Sequence, residues 1–350
     1  DFSVNNLHVV SYSIPVDATF SLEELRPHLH SRPDRPDAIP YITSYYRPDW
    51  GFCLSHNDYL ALLPGDYHVY IDSTLADGSL VYGEYLLPGM GEEEVFLSTY
   101  ICHPSMGNNE LSGPVVTTWL ARWLAQLPKR RYSYRIIFIP ETIGAIVYLS
   151  RHLEQLRRRV IAGFNISCVG DERCWSYLPS RQGNTLADRV ALHVLRHLHP
   201  DFIRYTFLDR GSDERQYCSP GVDLPVVSVM RSKYGCYPEY HTSEDNLELI
   251  TPDGLYGSYR ALQHCLYTLE HNPVLQTTTL GEPQLGRRGL RPHLSMGPID
   301  GFYRNIGHLL ALADGQSDLL ALADTLQQPL WTLVELVKRL LEEELLIVRQ

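Results

Sequence analysis

The chain has 350 residues, which is more than one ordinary domain core holds and suits two or three domains. It carries 30 Lys and Arg against 41 Asp and Glu, a formal net charge of −11. Such a chain is not expected to bind nucleic acid non-specifically or to dock on anionic membranes, because both need a basic face. With 44% hydrophobic and 20% charged residues, its composition is that of a globular protein rather than a disordered one.

The cysteine pattern and the apolar runs favour a cytoplasmic protein. The seven cysteines are scattered without a C-x-x-C spacing, which argues against a disulfide framework and a zinc ribbon. The longest apolar runs, such as residues 224–230, have strand length, whereas a membrane span needs about 20 apolar residues. No signal peptide is recognisable. We expect a reduced, cytoplasmic setting without a membrane partner, and, because the chain starts at Asp1, residues missing upstream.

Residues 1–92 predict a small α+β domain. Ser21 and Glu24 have the spacing of a capping box and are expected to start a short helix. Two alternating runs, residues 67–72 and 79–86, flank an Asp-Gly pair, which predicts a β-hairpin.

Residues 93–272 alternate between apolar strand-like runs and helical patterns. Near-continuous apolar strands separated by helices are typical of an α/β domain with a mainly parallel sheet covered on both faces. The predicted strands are 94–101, 134–140, 160–167 and 224–230, and the predicted helices are 111–127, 143–157, 186–198 and 252–271.

The last part of the chain has the element order of a winged helix-turn-helix. Residues 273–298 lack periodicity and are predicted to be a linker. Residues 299–350 contain three helical patterns and a short closing strand, as expected for this module. The predicted helices are 305–313, 318–326 and 330–344, and the predicted strand is 345–348.

Ionisable side chains follow the predicted strands of the α/β domain, where ligands bind in open sheets. His103 follows the first strand, Glu141 the second and Asp171 the third, and His241 lies in the segment after the fourth. Two histidines and a carboxylate suit a catalytic zinc ion, and a carboxylate beside the metal can act as a general base. Taken singly, His103 could instead bond a backbone carbonyl, and Glu141 could cap the helix that follows it.

These motifs resemble the co-catalytic zinc aminopeptidases and, more closely, the bacterial aminopeptidase-like proteins found with polysaccharide-biosynthesis enzymes. The resemblance covers nearly the whole chain and rests on long phrases in a fixed order. The phrases are Ile101-Cys-His-Pro-Ser105, Asn108-Asn-Glu-Leu-Ser-Gly113, Ile139-Pro-Glu-Thr-Ile-Gly144, Cys168-Val-Gly-Asp171, Leu178-Pro-Ser-Arg181, Leu208-Asp-Arg-Gly-Ser-Asp-Glu-Arg-Gln-Tyr217, Met230-Arg-Ser-Lys-Tyr-Gly235 and Tyr240-His-Thr-Ser243.

The resemblance implies a chain of three parts. Residues 93–272 would form the aminopeptidase-like core with its phosphorylase/hydrolase-like fold, residues 1–92 an α+β domain inserted in it, and residues 299–350 the winged helix. It also implies that the first segment of the core precedes Asp1.

Three metal-ligand positions of the two-zinc aminopeptidases carry neutral residues here. By the resemblance, Asn109 stands in place of the aspartate that bridges the two ions, Thr142 in place of a second glutamate, and Ser167 in place of another aspartate. Three fewer anions leave little charge to hold two dications, so we expect at most one zinc ion.

The residues left for a single zinc site are the ligands His103, Glu110 and His241 and the general base Glu141. If the Glu110 side chain points away from the metal, Asn109 or Asp171 takes its place as the third ligand. The alternative interpretation is a metal-free, degenerate site.

Four further residues are expected to contact substrate, namely Asn109, Asp171, Asp213 and Arg231. Asp213 could hold an ammonium or sugar hydroxyl groups, or it could lie in a solvated turn with an internal Asp–Arg pair. Arg231 leaves a buried strand toward the site and could bind a carboxylate or phosphate. It could also form a structural pair with Asp213 or Glu239.

The charge of the C-terminal module argues against nucleic acid as a partner. Residues 301–350 carry four basic and seven acidic side chains, a net charge of −3. The helix that would enter a groove, 330–344, has four glutamates and two basic residues, whereas specific DNA binding needs several basic phosphate contacts. We expect this module to have a protein partner or an intramolecular role.

The sequence thus predicts a mononuclear zinc hydrolase that cleaves an amide or related bond. By the resemblance, it would act on a small molecule or sugar conjugate in the biosynthesis or modification of a surface carbohydrate. The alternatives are a non-catalytic binding or scaffold protein and a winged-helix regulator.

Overall fold

The structure is a computed structural model that describes residues 5–103, 105–290 and 301–349. Its N-terminal part consists of short strands and helices. Ser21 and Glu24 form the predicted capping box, and the α-helix that they start has four residues. The elements are β1 (Val16–Ser21), α1 (Leu22–Leu25), β2 (Leu29–His30), β3 (Phe52–Cys53), α2 (His56–Ala61) and β4 (Asp66–Ile71).

The β-hairpin predicted in this part is wrong. β4 pairs antiparallel with β1 instead of with the run that follows the Asp-Gly pair. That run contains β5 (Gly83–Leu87), which pairs antiparallel with residues 134–138. β5 therefore joins the main sheet as an edge strand, although it precedes the domain boundary predicted at residue 92.

The main sheet combines β5 with six strands of the predicted core. These are β6 (Glu94–Tyr100), β7 (Ser133–Ile139), β8 (Val160–Asn165), β9 (Ser176–Leu178), β10 (Ile203–Arg204) and β11 (Val226–Met230). Their order is β10-β9-β11-β8-β6-β7-β5. Four of the strand pairs are parallel, whereas β5 with β7 and β9 with β11 are antiparallel. The predicted α/β class is confirmed, with a mixed and mainly parallel sheet.

Helices cover both faces of this sheet, which explains why its central strands are apolar along their whole length. All seven residues of β6 are buried. Val116, Val190 and Leu262 belong to the core of one face, and Tyr148 packs with Phe96 on the other. The helices are α3 (Ser112–Gln126), α4 (Ile143–Arg159), α5 (Leu186–Leu198), α6 (Glu214–Tyr217) and α7 (Pro252–Glu270).

The C-terminal module has the predicted winged-helix order of elements. Its sheet has the order β13-β12-β14, so the central strand β12 comes from within the segment predicted to be the linker 273–298. The elements are β12 (Val274–Thr277), α8 (Gly301–Leu312), β13 (Asp314–Asp318), α9 (Leu319–Leu326), α10 (Leu330–Glu342) and β14 (Leu346–Arg349). A four-residue strand next to a proline is too short to show a period in the sequence.

The module is attached to the core through the start of α10. The fully buried His193 of α5 bonds Asp324 Oδ1 through Nδ1 at 2.7 Å, and its Nε2 accepts the backbone N–H of Leu330 at 2.9 Å. The Trp331 ring lies edge-on to the ring of His264 in α7, with centroids 4.7 Å apart. The first turn of a recognition helix, which contacts base edges in DNA-binding relatives of this module, is therefore packed against the core.

Among the described residues, no helix is both long and apolar enough to span a bilayer.

Candidate functional site

The predicted site residues meet at the carboxyl ends of the main-sheet strands. His103 follows β6, Glu141 follows β7, and His241 lies in the loop after β11. The imidazole rings of His103 and His241 have centroids 4.6 Å apart. Ligand atoms of Cys102, His103 and Glu141 lie within 4.8 Å of one another. Two imidazoles, a thiol and a carboxylate thus converge at the edge of the sheet.

A single π-turn, Gly107–Leu111, presents Glu110 to this cluster. The Asp245 carboxylate stabilises the turn by accepting the backbone N–H groups of Asn108 and Asn109 at 2.5 and 3.1 Å. Asp245 is fully buried, and the sequence analysis did not single it out. A carboxylate at these N–H groups is favourable, because the first turn of a helix leaves its N–H donors without partners inside the helix.

Glu110 bonds the ring of His103 rather than pointing away from it. Its Oε1 lies 2.5 Å from His103 Nδ1, and its Oε2 accepts the backbone N–H of Cys102 at 2.7 Å. Glu110 was predicted as a metal ligand, but both of its oxygens are used in these bonds. A carboxylate on one ring nitrogen is typical of metal-binding histidines, because it fixes the ring and leaves the other nitrogen for the metal.

Backbone strain is concentrated in the loops that carry these residues. Four non-glycine residues after strand ends have left-handed φ angles: Ser105 at 64°, Thr142 at 61°, Cys168 at 52° and His241 at 55°. Such conformations cost of order 1–3 kcal/mol each and persist only where the surrounding contacts hold them. The loops are therefore held in place by tertiary contacts rather than by local preference.

The Glu141 carboxyl is largely buried, and the turn that carries it is held by the buried Asp213. Burial raises the pKa of the Glu141 carboxyl, and the charge of Glu110 adds to this, while His103 acts in the opposite direction. Asp213 Oδ1 accepts the backbone N–H of Thr142 at 2.7 Å and so fixes the turn that carries Glu141. Asp213 is fully buried, which contradicts the alternative that it lies in a solvated turn.

The two histidines lie in opposite electrostatic surroundings. Burial, and then the charge of His103, lower the pKa of His241 to about 3, so its ring is neutral near pH 7. Its buried Nε2 has no hydrogen-bond partner among the described residues. Burial alone would lower the pKa of His103, but bonds to Cys102 and Glu110 raise it to about 10. The surroundings of His103 thus favour a positive charge, which a proton or a metal ion can supply.

Tyr41 from the N-terminal part completes the wall of the site, and the sequence analysis missed it. Its backbone N–H donates to the carbonyl of His241 at 2.9 Å. Its ring centroid lies 4.7 Å from that of His103 and 5.5 Å from that of His241. No motif surrounds Tyr41, so only a register between distant segments could have revealed its position.

The three neutral replacements supply no charge to this site. Asn109 Nδ2 donates to the hydroxyl of Tyr100 at 2.9 Å, while its Oδ1 is buried without a partner in the described part of the chain. The hydroxyl of Ser167 is also buried without a partner among the described residues. Thr142 receives a bond from Arg215 Nη2 at 2.8 Å.

Asp171 and Arg231 are engaged elsewhere. The Asp171 carboxylate accepts Asn108 Nδ2 and the backbone N–H and hydroxyl of Ser232 at 2.8–3.0 Å. The Arg231 guanidinium lies 4.2 Å from the ring centroid of Trp175. The predicted alternative partner of Arg231, Glu239, is instead paired with Arg173. These contacts tie both side chains to the loops around the site, and their predicted contact with substrate stays a prediction.

The donor set fits a zinc ion. Neutral imidazole nitrogen and sulfur are ligands that zinc prefers, and the buried Nε2 of His241 is an imidazole nitrogen without a partner among the residues described. The Glu110–His103 bond supplies the outer carboxylate that such sites use.

Two family models match the chain. Residues 6–272 match a domain of unknown function (DUF4910), and residues 272–348 match a winged helix-turn-helix. A Clostridium acetobutylicum protein, named as a candidate polysaccharide biosynthesis protein with an aminopeptidase-like domain, is 46% identical over 327 residues. That match covers 92% of this chain and 74% of the relative.

Solved structures share the fold. The crystal structure of a candidate peptidase from Clostridium acetobutylicum has a TM-score of 0.92 at 42% identity, covering 99% of this chain and 78% of that one. A zinc aminopeptidase from Bacillus subtilis has a TM-score of 0.56 at 15% identity, covering 75% and 78% of the two chains, which shows likeness of fold alone. This chain therefore belongs to the DUF4910 family, with an aminopeptidase-like core and a C-terminal winged helix-turn-helix.

Proposed function

We propose that the chain is a hydrolase that uses one zinc ion to cleave an amide or related bond. The observation that carries the proposal is the Glu110–His103 bond of 2.5 Å, with a Glu141 carboxylate oxygen within 4.8 Å of a ring nitrogen of His103. This arrangement fixes a metal-binding imidazole beside a buried carboxylate, which is the pairing that hydrolysis needs. His103 and His241 would hold the ion, and a bound zinc supplies the Lewis acidity that polarises a carbonyl and activates water.

Glu141 is the general base in this proposal. Its carboxylate takes a proton from the attacking water and then returns it to the leaving nitrogen as the bond to the carbonyl carbon breaks. The raised pKa of Glu141, caused first by burial, suits this exchange because the proton is held more strongly than by an exposed carboxylate. Asp213 keeps the base in position through the backbone of Thr142.

A sugar conjugate is the substrate class that we propose. The support is the name of the Clostridium acetobutylicum relative, which refers to polysaccharide biosynthesis. Asn109 Oδ1 and Asp213 Oδ2, both buried without partners among the described residues, are the polar atoms left to interact with substrate groups or a bound water.

Replacement of the base tests the proposal. The zinc-loaded chain should hydrolyse at least one compound in a panel of aminoacyl amides and N-acylated amino sugars, and Glu141→Gln should lower turnover by about 10²–10⁴-fold. Zinc content should stay unchanged, because Glu141 is not assigned as a ligand. Glu154→Gln, an exposed glutamate on α4, is the matched control and should keep full turnover. Equal turnover of Glu141→Gln and the unmodified chain would contradict the proposed base.

A binding protein with a degenerate site is the second candidate, and the neutral residues Asn109, Thr142 and Ser167 favour it. In that case no compound of the panel is cleaved, while ligand binding, followed by calorimetry, survives Glu141→Gln.

For the winged helix we propose an intramolecular role. Residues 330–344, which contain its recognition helix, carry four glutamates against two basic residues, and the helix is attached to the core by the Leu330–His193 bond. A mobility-shift experiment at low salt should therefore show no DNA complex, since low salt favours even weak electrostatic binding.

A further inference from the structure

The ligand set around His103 and His241 lacks an anion. Asn109, Thr142 and Ser167 are neutral, so the positions that hold metal charge in the aminopeptidase pattern supply none here. A zinc ion bound by two imidazoles alone would be held weakly, because catalytic zinc sites have three protein ligands. The structure must therefore supply a third ligand from another residue.

Three of the nearby carboxylates, those of Glu110, Asp245 and Asp171, are already used by the protein. Both oxygens of Glu110 bond the His103 ring and the Cys102 backbone. The oxygens of Asp245 accept two backbone N–H groups of the π-turn and the hydroxyl of Tyr237. Asp171 is saturated by Asn108 and Ser232, as described above. Recruiting any of these to a metal would break the bonds that shape the site.

With Glu141 assigned as the base, Cys102 is the anionic donor left in the group of ligand atoms around His103. It lies two residues after the end of β6 and directly before His103, and its backbone is fixed by the bond to Glu110. Its Sγ belongs to the group of ligand atoms, with those of His103 and Glu141, that lie within 4.8 Å of one another. Ligand atoms of a tetrahedral zinc site lie about 3.3–3.8 Å apart, so the donors of Cys102 and His103 are at most about 1.5 Å farther apart than in a bound site. The ring of His241 is next to that of His103, with centroids 4.6 Å apart.

We propose that Cys102 is the third protein ligand, so that zinc is held by Cys102 Sγ, His103 and His241. This inference rests on the proposed function and specifies its metal centre. On binding, the thiol releases its proton to solvent and the thiolate donates an electron pair to the ion, with no oxidation or reduction. Glu141 then stays free to act as the base, since it is not needed as a ligand.

Cobalt substitution tests this ligand set without measuring activity. Co²⁺ in place of zinc gives a near-ultraviolet sulfur-to-cobalt charge-transfer band only when a thiolate is bound. The unmodified chain should bind one Co²⁺ with this band, and Cys102→Ser should lose the band. Cys102→Ser should also bind zinc at least about 10–100-fold more weakly, because the loss of even an outer partner of a metal ligand costs this much affinity. Cys236→Ser, the other exposed cysteine, is the matched control and should keep both.

A second measurement follows the thiol itself. Cys102 is exposed and should react quickly with a thiol reagent in the metal-free chain, and zinc should protect it. Labelling of Cys236, read by peptide mass spectrometry in the same sample, should not change with zinc.

The outcomes separate the two proposals. One bound Co²⁺ without a charge-transfer band, or with a band that survives in Cys102→Ser, overturns the thiolate ligand but leaves the zinc hydrolase standing. No bound metal in the unmodified chain overturns both. A band that disappears in Cys102→Ser but not in Cys236→Ser supports the ligand set as proposed.

Discussion

The two outer parts of the molecule contact the main sheet at opposite ends. The N-terminal part reaches the carboxyl ends of the strands, where Tyr41 packs against His103 and His241. The C-terminal module contacts the other end: Arg131, just before β7, donates to the carbonyl of Asn272, and the Asn272 side chain donates to Asp318 of β13.

The length of one strand separates these two contacts. β7 has seven residues, about 20 Å, with Arg131 before its start and Glu141 after its end. The N-terminal part therefore shapes the site directly, whereas we expect the winged helix to act on it through the stability of the core. In the proposed intramolecular role, a module with a shape known from DNA recognition serves as a structural support, because the start of its recognition helix is packed against the core.

The largest expected effect is on stability, at the attachment of the winged helix. His193→Ala leaves a cavity and removes the partner of the Leu330 N–H group, so the free energy of unfolding should fall by about 2–4 kcal/mol. Denaturant unfolding measures this, and zinc affinity of the folded chain should not change. His308→Ala, an exposed histidine on α8, should cost less than about 0.5 kcal/mol. A large loss of zinc affinity in His193→Ala would contradict the view that the N-terminal part shapes the site whereas the C-terminal module does not.

The second largest expected effect is on zinc affinity, at the contact between the site and the N-terminal part. Tyr41→Ala removes the ring that packs on both histidines, so zinc affinity should fall by about 10-fold, as for other outer partners of a metal site. Tyr41→Phe keeps the ring and should bind zinc normally. Tyr46→Ala, at a side chain that is 91% exposed, serves as the control. Unchanged affinity in a folded Tyr41→Ala chain would show that this part does not shape the site.

The smallest effect depends on pH and concerns Asp318 in the winged helix. Burial alone would raise the pKa of Asp318, but bonds from Arg189 and Asn272 outweigh it and lower the pKa below the ordinary value. A lowered folded pKa means that the stabilisation is present above the unfolded pKa, about 4, and is lost as the pH falls through the folded value.

Asp318→Asn should therefore be less stable than the unmodified chain by about 1 kcal/mol at pH 7, because the ion pair is partly exposed. The difference should shrink as the pH falls below about 4 toward the lowered pKa of Asp318, as seen by thermal unfolding at each pH. Asp201→Asn, at an exposed aspartate, should show no such trend. A difference that persists unchanged at pH 3 would exclude the ionic origin.

The elements that follow a strong period were predictable from sequence. The apolar strands of the core and the three helices of the winged module were predicted because burial on one or both faces imposes a pattern. For the same reason His103, Glu141 and His241 could be placed together, since parallel strands bring their carboxyl ends to one edge.

Features set by tertiary contacts could not be predicted. Tyr41 and β5 reach their partners across long stretches of chain, and no local signal marks either. The orientation of Glu110 depends on a π-turn, in which Leu111 N–H bonds Met106 O and shifts the usual helical register by one residue. Sequence patterns that assume a regular helix place its side chain on a different side.

The most direct test of the central claim is the metal content of the chain. Elemental mass spectrometry after gentle purification and zinc loading should find one zinc per chain, and none in the double variant His103→Ala/His241→Ala. Two zinc ions per chain, no zinc, or an equal content in the double variant would contradict a single zinc held by these two histidines.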